Sequence, residues 1–532
     1  MPEHETAATR RQLLSRIGAV AGAGALYQAM TSLGHAAPSD FVNPPKLSGA
    51  RPGTSVLILG SGLAGMVAAY ELQKVGYKVQ ILEYQNRAGG RNFSLRGGDT
   101  FEELGGAVQR VGFAQGNYFN PGPWRIPYHH QAVLHYCRTL GVELEPFVQV
   151  NHNAYVHSST AFSGAPQRYR VVDADYSGYV SELLAKSVNQ HALDNEISAD
   201  EREHILQSLK SCGMLDASYA YKKSDLTSMR RGYEKPPGGG LDGPSVTSTP
   251  LSRGDIFSSG LWQAISVNSL LNHQTSMFQP VGGMDQIGKA FQKQLQNVIN
   301  LRCKVTAIHQ DDSGVSVTYT DDAHGSATRV AKADYCICTI PLSILSQLDI
   351  QVSGSMRAAI AAVPYAPAIK VGLEFNRRFW EEDEQIYGGI SFTDLPITQI
   401  SYPSTKYFSN GKAVLLGAYL WEDVQAFRFA GMTPAERIEA SIASGEKIHR
   451  QYRKEYSSGV AVAWSRVPWA MGCSSIWSEQ RRKDHYKNLC TMDNRIVLAG
   501  EHASYIGGWQ EGSVLSSINA IEQLHKRASG VG

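Results

Sequence analysis

Three glycines stand at positions 60, 62 and 65 in Gly60-Ser61-Gly62-Leu63-Ala64-Gly65. An apolar run, Val56 to Leu59, precedes them, and a helix-forming stretch, Met66 to Val75, follows. A second apolar run, Val79 to Leu82, ends in Glu83, about 20 residues further on. Each residue has a chemical use. Gly60 allows a tight turn, Gly62 lets the backbone approach a pyrophosphate, and Gly65 lets helix and strand pack closely. The helix start at Leu63 and Ala64 turns free N–H groups and a positive dipole end toward phosphate. Glu83 can accept from ribose hydroxyls. Strand, glycine turn, helix and acid together predict a dinucleotide site.

The following residues narrow the choice of dinucleotide. Arg91 stands behind Gly89 and Gly90 and can reach back to the same pyrophosphate in a charge-assisted contact, with Arg87 four residues earlier. Nicotinamide enzymes do not usually need that element. Far downstream, Arg495 to Ala499 reads as a strand ending in Gly500-Glu501-His502, then Gly508-Trp509, then a helix that includes Ser513. A separate run, Gly122-Pro123-Trp124-Arg125-Ile126-Pro127, leads into a helical stretch from His129 to Leu140. A planar guanidinium such as Arg125 binds a carboxylate bidentately. Lys370 alternates with Ile369, Val371, Leu373 and Phe375, which on local pattern alone puts it on a solvated face. Tyr402 lies in a Tyr-Pro turn, and Cys473 follows Trp469-Ala470-Met471-Gly472.

Glu83-x-x-x-Arg87-x-Gly89-Gly90-Arg91, with the terminal Ala-Gly-Glu and Gly-Trp, resembles the flavin amine oxidase family. The run around Arg125 resembles its L-amino-acid oxidases in particular. The resemblance covers most of the chain from Ser55 to Ile521 and is weakest from about 155 to 265. It implies FAD, held without a covalent link; Cys473 stands where monoamine oxidases attach theirs. It implies that Glu501 holds the ribityl or pyrophosphate part and that the main chain of Val305 holds adenine. The helix start from Gly508 to Ser513 would face the pyrimidine edge of the flavin, and Trp509 would wall the substrate side. Arg125 and Tyr402 would clamp a substrate carboxylate, and Lys370 would hold a water at flavin N5 and assist the reaction with oxygen. The implied activity is oxidative deamination of an L-amino acid to a 2-oxo acid, with ammonia and hydrogen peroxide released. His502, His129 and His130 are candidate bases, and the residues single out none of them. Other readings are a monoamine or polyamine oxidase, an amino-acid monooxygenase, and a flavin-binding interaction protein without turnover.

Composition limits the alternatives. A chain of 532 residues accommodates two or three domains. A net charge of +2 gives no reason to expect nucleic acid or an anionic membrane as partner. Charged residues are 18%, below the usual quarter, which predicts well-buried domains. Seven cysteines without a C-x-x-C predict buried thiols and no metal site. Near the start, Arg10-Arg11, a mild apolar run from Ile17 to Leu26 and Gly34-His35-Ala36-Ala37 resemble a twin-arginine signal peptide over 1–37. That run is too short to span a bilayer, so no stable membrane anchor is expected, and the implied location is the bacterial periplasm or beyond. The expected partners are an amino acid and oxygen, and family members are often homodimers.

The elements predict an α/β fold whose second domain is α+β: a discontinuous Rossmann-like FAD domain with an inserted substrate-binding sheet domain and a helical subdomain. The FAD domain is expected from 54–95, 280–345 and 470–530. The substrate domain is expected from 96–154 and 346–469, and the helical subdomain from 155–265. Strands are expected at Cys303 to Ile308, Val315 to Tyr319 and Ala333 to Ile340. Helices are expected after Pro280-Val281-Gly282-Gly283, at Glu201 to Leu209, and from the capping box at Thr433.

Overall fold

The computed structural model describes residues 39–268, 273, 277–421 and 424–530. The leader-like segment 1–37 lies outside the described residues.

A five-stranded parallel sheet is collected from distant parts of the chain. Its order is Ile299–Asn300, Lys78–Leu82, Ser55–Leu59, Tyr335–Cys338, Ile496–Leu498. Alternate residues of its central strand enter different cores. Val56 and Ile58 face helices Leu63–Lys74, Asp285–Leu295 and Gln510–Ser529, while Leu57 and Leu59 face a layer that includes Cys303–Gln310 and Val315–Asp321. A parallel sheet covered on both sides needs this near-continuous apolar sequence. Asp311 to Gly314 makes the turn between the latter two strands, and Thr433 caps Pro434–Gly445 with the expected reciprocal box.

The second sheet has seven strands, in the order Gln167–Arg168, Tyr155–His157, Ile390–Thr393, Gln399–Ser401, Ala413–Leu420, Ile369–Phe375, Tyr456–Ala463. All seven residues of Ile369–Phe375 are buried. Ile369, Val371, Leu373 and Phe375 fill a core with Trp380, Tyr402 and Tyr452. On the other face the chain around 113–124 lies against the strand: a Cβ at Gly372 would meet the Phe119 ring at 2.5 Å, and Glu374 accepts from Ala114 N–H at 2.7 Å. Lys370 shares that covered face and is buried, so the alternation that suggested a solvated lysine fails because the sheet has no wet side.

The expected domain limits shift in three places. Helix Gln131–Thr139 packs on the parallel-sheet core, away from the substrate sheet, through Ala132, Val133, Leu134 and Tyr136. Met356, Ala359, Ile360 and Val363 belong to the other side of that core. Residues 155–168 supply two strands to the seven-stranded sheet, so the helical region begins at Tyr169–Asn189 and continues through Ala199–Cys212 and Asp225–Arg231. Among the described residues no helix is long and apolar enough to cross a membrane.

Candidate active site

The glycine turn closes as its residue types require. Gly60 has φ +102°, and a Cβ there would lie 2.6 Å from Thr339 Oγ1. A Cβ at Gly65 would lie 2.0 Å from the Gly60 carbonyl oxygen, so only glycine lets the helix start this close to the strand. A Cβ at Gly62 meets nothing within 4 Å. Helix Leu63–Lys74 starts there without a side-chain cap, which leaves its first N–H groups for a bound anion. Glu83 is buried and accepts from Ser61 N–H at 2.7 Å, Ser61 Oγ at 2.8 Å and Gln85 N–H at 2.8 Å. Gly89 N–H donates to Ser61 O at 2.9 Å, and a Cβ at Gly90 would lie 3.0 Å from Gly62 Cα; the double-glycine loop is pressed on the turn. Next to Glu83, Cys303 N–H donates to the Glu83 carbonyl at 2.7 Å. Val305 follows with one strand neighbour, because Asp349–Ile350 pairs only from Ala307.

Beyond this turn lies a cavity of about 190 Å³. Leu63 and Ala64 border it at one side, Arg91 and Glu501 at another, and Gly508, Trp509 and Ser513 at a third. Glu501 joins these pieces. It accepts from Arg91 Nη1 at 3.0 Å, Ser475 Oγ at 2.9 Å and Gly508 N–H at 3.2 Å. Burial alone would push its carboxyl up, but Arg91 and His502 outweigh that and hold it below its ordinary value. Arg91 Nη1 also donates to Cys473 O at 2.5 Å. Helix Gln510–Ser529 starts at Trp509, again without a side-chain cap, and Ser517 ties it to Ala64 O at 2.7 Å. Two uncapped helix ends therefore border one cavity.

The opposite wall is aromatic and cationic. Gly122, Pro123, Trp124 and Arg125 run along it; a Cβ at Gly122 would lie 2.0 Å from the Arg91 carbonyl oxygen. The segment is fixed on both sides. Trp464 Nε1 donates to Pro121 O at 2.8 Å, and Glu511 accepts from Ala132 and Val133 N–H, each at 2.9 Å, which caps helix Gln131–Thr139. Arg125 stands 4.8 Å from the Trp124 ring and 5.8 Å from that of Trp509. Lys370 Nζ donates to Gly122 O and lies 4.4 Å from the Trp124 ring and 4.6 Å from that of Tyr419. Burial pulls Lys370 down to about 7, with Arg125 adding to the effect and Cys473 opposing it.

Residues 63–525 match the family described as flavin containing amine oxidoreductase. The chain belongs to that family. This amine oxidoreductase is 28% identical over 476 residues to an L-amino-acid oxidase of Siganus canaliculatus, covering 89% of the present chain and 85% of the relative. Against an L-amino-acid oxidase of Pseudechis australis the identity is 24% over 477 residues, with 88% and 86% covered. The fold is similar to that of cyclohexylamine oxidase from Brevibacterium oxydans IH-35A, with TM-score 0.58 and 17% identity over 90% of this chain and 100% of that one. A flavin amine oxidoreductase carries FAD, and the donor set here fits one: two uncapped helix ends for negative charge, an open approach at Gly62, and the Arg91–Glu501 pair between them.

One expected residue of this oxidoreductase is misplaced. Tyr402 does not border the cavity. Its hydroxyl lies 2.7 Å from Ser391 Oγ and 2.7 Å from His449 Nε2, inside the substrate-sheet core, and His449 is in turn 2.8 Å from Glu384. A hydroxyl held by two buried partners has nothing left for a carboxylate. The tyrosine on the wall is Tyr419, which the sequence reading passed over. It stands directly opposite Lys370 in the strand pairing, with its ring 4.9 Å from that of Trp124. The strand register brings residues 370 and 419 together, and local sequence pattern does not reveal it. Trp421 and Trp464 complete the aromatic wall.

The candidate bases do not line the cavity. His502 is buried against Tyr365 and burial pulls it down to about 4; His130 falls to about 3 for the same reason. Neither these nor His129 borders the cavity. Cys473 does border it, and no disulfide joins any two of the seven cysteines.

Proposed function

We propose that the chain is an FAD-dependent L-amino-acid oxidase with a non-covalent flavin. The observation that carries this reading is the pair Arg125 and Lys370, two cations of different chemistry on the aromatic wall of one cavity. A simple amine gives an arginine there nothing to bind, whereas an amino acid brings a carboxylate. The names of the relatives support the same substrate class.

FAD, when bound, would supply the two-electron acceptor for oxidation of the amine, with oxygen as the final acceptor. The chain's residues do the rest. Arg125 takes the α-carboxylate in a charge-assisted pair, and Tyr419 adds a hydroxyl from the facing strand. With the carboxylate anchored, Trp509 and Trp124 restrict the rotation of Cα, so the C–H bond presents one direction to the cofactor. The substrate loses two electrons and two protons to become an imino acid. Water then converts this to a 2-oxo acid and ammonia. Lys370, held by Gly122 O, places positive charge where reduction of oxygen develops negative charge.

A peroxide-coupled screen of the twenty L-amino acids, with their decarboxylated amines alongside, tests the proposal. Peroxide and 2-oxo acid are expected from amino acids only. Turnover of the amines at equal efficiency would favour an amine oxidase without carboxylate recognition, and an amide product would favour a monooxygenase. Acid precipitation is expected to leave the flavin in the supernatant.

A further inference from the structure

A second cavity, about 100 Å³, lies behind the aromatic wall. Its mouth is at exposed Gly116 and Lys406, and its inner end is buried at Phe119, Phe147, Leu416 and Trp124. Among the described residues, Trp124 is the one that borders both this cavity and the flavin cavity. Phe147 stacks on the indole at 6.3 Å and 18° on the outer side, while Lys370 Nζ lies 4.4 Å from the same ring on the active-site side. A molecule that passes the edge of Trp124 from the second cavity therefore arrives at the cationic part of the flavin cavity, where Lys370 lies 4.4 Å and Arg125 4.8 Å from the same ring.

We propose that this second cavity is the antechamber of dioxygen and that Trp124 is the partition it must pass. The inference rests on the oxidase reading above. Dioxygen is small and uncharged, and needs apolar contact more than an anchor; Phe119, Phe147, Val414 and Leu416 supply it in a lining that also carries Gln279, Ser401, Ser404 and the Glu381-paired Arg378. Past Trp124 it meets the buried cation that favours its reduction, takes two electrons and two protons, and leaves as hydrogen peroxide. An amino acid is the wrong occupant. Its charged groups would lose water against Phe119, Phe147 and Leu416.

Val414→Trp and Leu416→Phe fill the cavity from residues that border only it. The flavin-loaded enzyme is reduced chemically under argon and mixed with oxygen-saturated buffer in a stopped-flow instrument. The return of the oxidised spectrum is expected to slow about fivefold or more, and anaerobic reduction of the flavin by the preferred amino acid is expected to keep its rate. A crystal of the loaded wild-type enzyme under xenon is expected to show xenon between Phe147 and Leu416, as apolar cavities bind that gas. Unchanged reoxidation in both variants with no xenon density would overturn the proposal. So would an equal loss in both half-reactions, or a loss confined to the amino-acid step. Chemical reduction makes the test separable from the oxidase reading: if no amino acid reduces the flavin, that reading fails while the oxygen arm is still measured.

Discussion

The two ends of the cavity are built from different material. The dinucleotide end is mostly backbone: glycines pressed on carbonyl oxygens, two uncapped helix starts, and one acid, Glu501, that ties three segments together. The substrate end is mostly side chain: Trp124, Arg125, Lys370, Tyr419 and Trp509 converge from separate elements. Backbone geometry tolerates almost no added atoms, because the neighbour it meets cannot move. A side-chain wall can change residue by residue and leave the fold intact. The cofactor end should therefore fail all at once, and the substrate end by degrees.

The sharpest contrast lies within the glycine turn. Gly65→Ala puts a methyl group 2.0 Å from the Gly60 carbonyl and must separate helix from strand. Overpacking of this kind costs about 1–3 kcal/mol or more, and the purified protein is expected to lack flavin absorbance and to melt earlier. Gly62 has φ −68° and ψ 178°, which alanine adopts freely, and its Cβ would enter open space. Gly62→Ala is expected to keep the melting temperature of the apoprotein and to weaken FAD binding at least tenfold in a titration. Equal melting losses in the two variants would remove the distinction between a packing glycine and an approach glycine.

At the substrate end the losses should be graded. Removing one member of a buried charge pair costs roughly 3–5 kcal/mol. Arg125→Ala is thus expected to lower kcat/KM for the amino acid by about two to four decades. Tyr419→Phe removes one hydrogen bond to a charged group, worth about 1.5–3 kcal/mol, so a loss of roughly tenfold or more is expected. Tyr402→Phe strands Ser391 and His449 in the core, and it should lower the melting temperature with kcat/KM unchanged. If Tyr402→Phe proves the kinetically impaired variant and Tyr419→Phe does not, the assignment of the wall is reversed.

The same division explains what was legible in the sequence. Gly60 to Gly65, Glu83 and Arg91 act within one βαβ unit, so their spacing along the chain is their spacing in space. Glu501 and Trp509 are distant from that unit, but a strand, a turn and a helix in local order marked them. Tyr419 had no local mark. Its role comes from pairing with Lys370 across two strands, and the nearby Tyr402 had an equally plausible Tyr-Pro setting. For Lys370 the local pattern points to a wet face and only the family resemblance to the site; alternation reports a wet face only when one exists, and the segment 113–124 covers that face here. Helix Gln131–Thr139 was given to the wrong domain because its partner is Glu511, some hundreds of residues away.

The smallest expected effect is also the most specific to the mixed character of Lys370, a side chain held by a backbone carbonyl. Its folded value of about 7 lies well under the ordinary 10.5 because burial opposes the charge. Below pH 7 the ammonium form prevails and should speed the reaction of the reduced enzyme with oxygen; the rate should fall several-fold as pH rises through 7. Stability runs the other way. Between 10.5 and 7 the unfolded chain binds a proton that the folded chain does not, so this group's contribution is complete above 10.5 and is lost as pH falls to about 7. Lys370→Met should flatten both slopes, the first in stopped-flow reoxidation from pH 5.5 to 9 and the second in melting curves over the upper half of the range. A variant that loses the kinetic slope but keeps the stability slope would assign the stability slope to another titrating group.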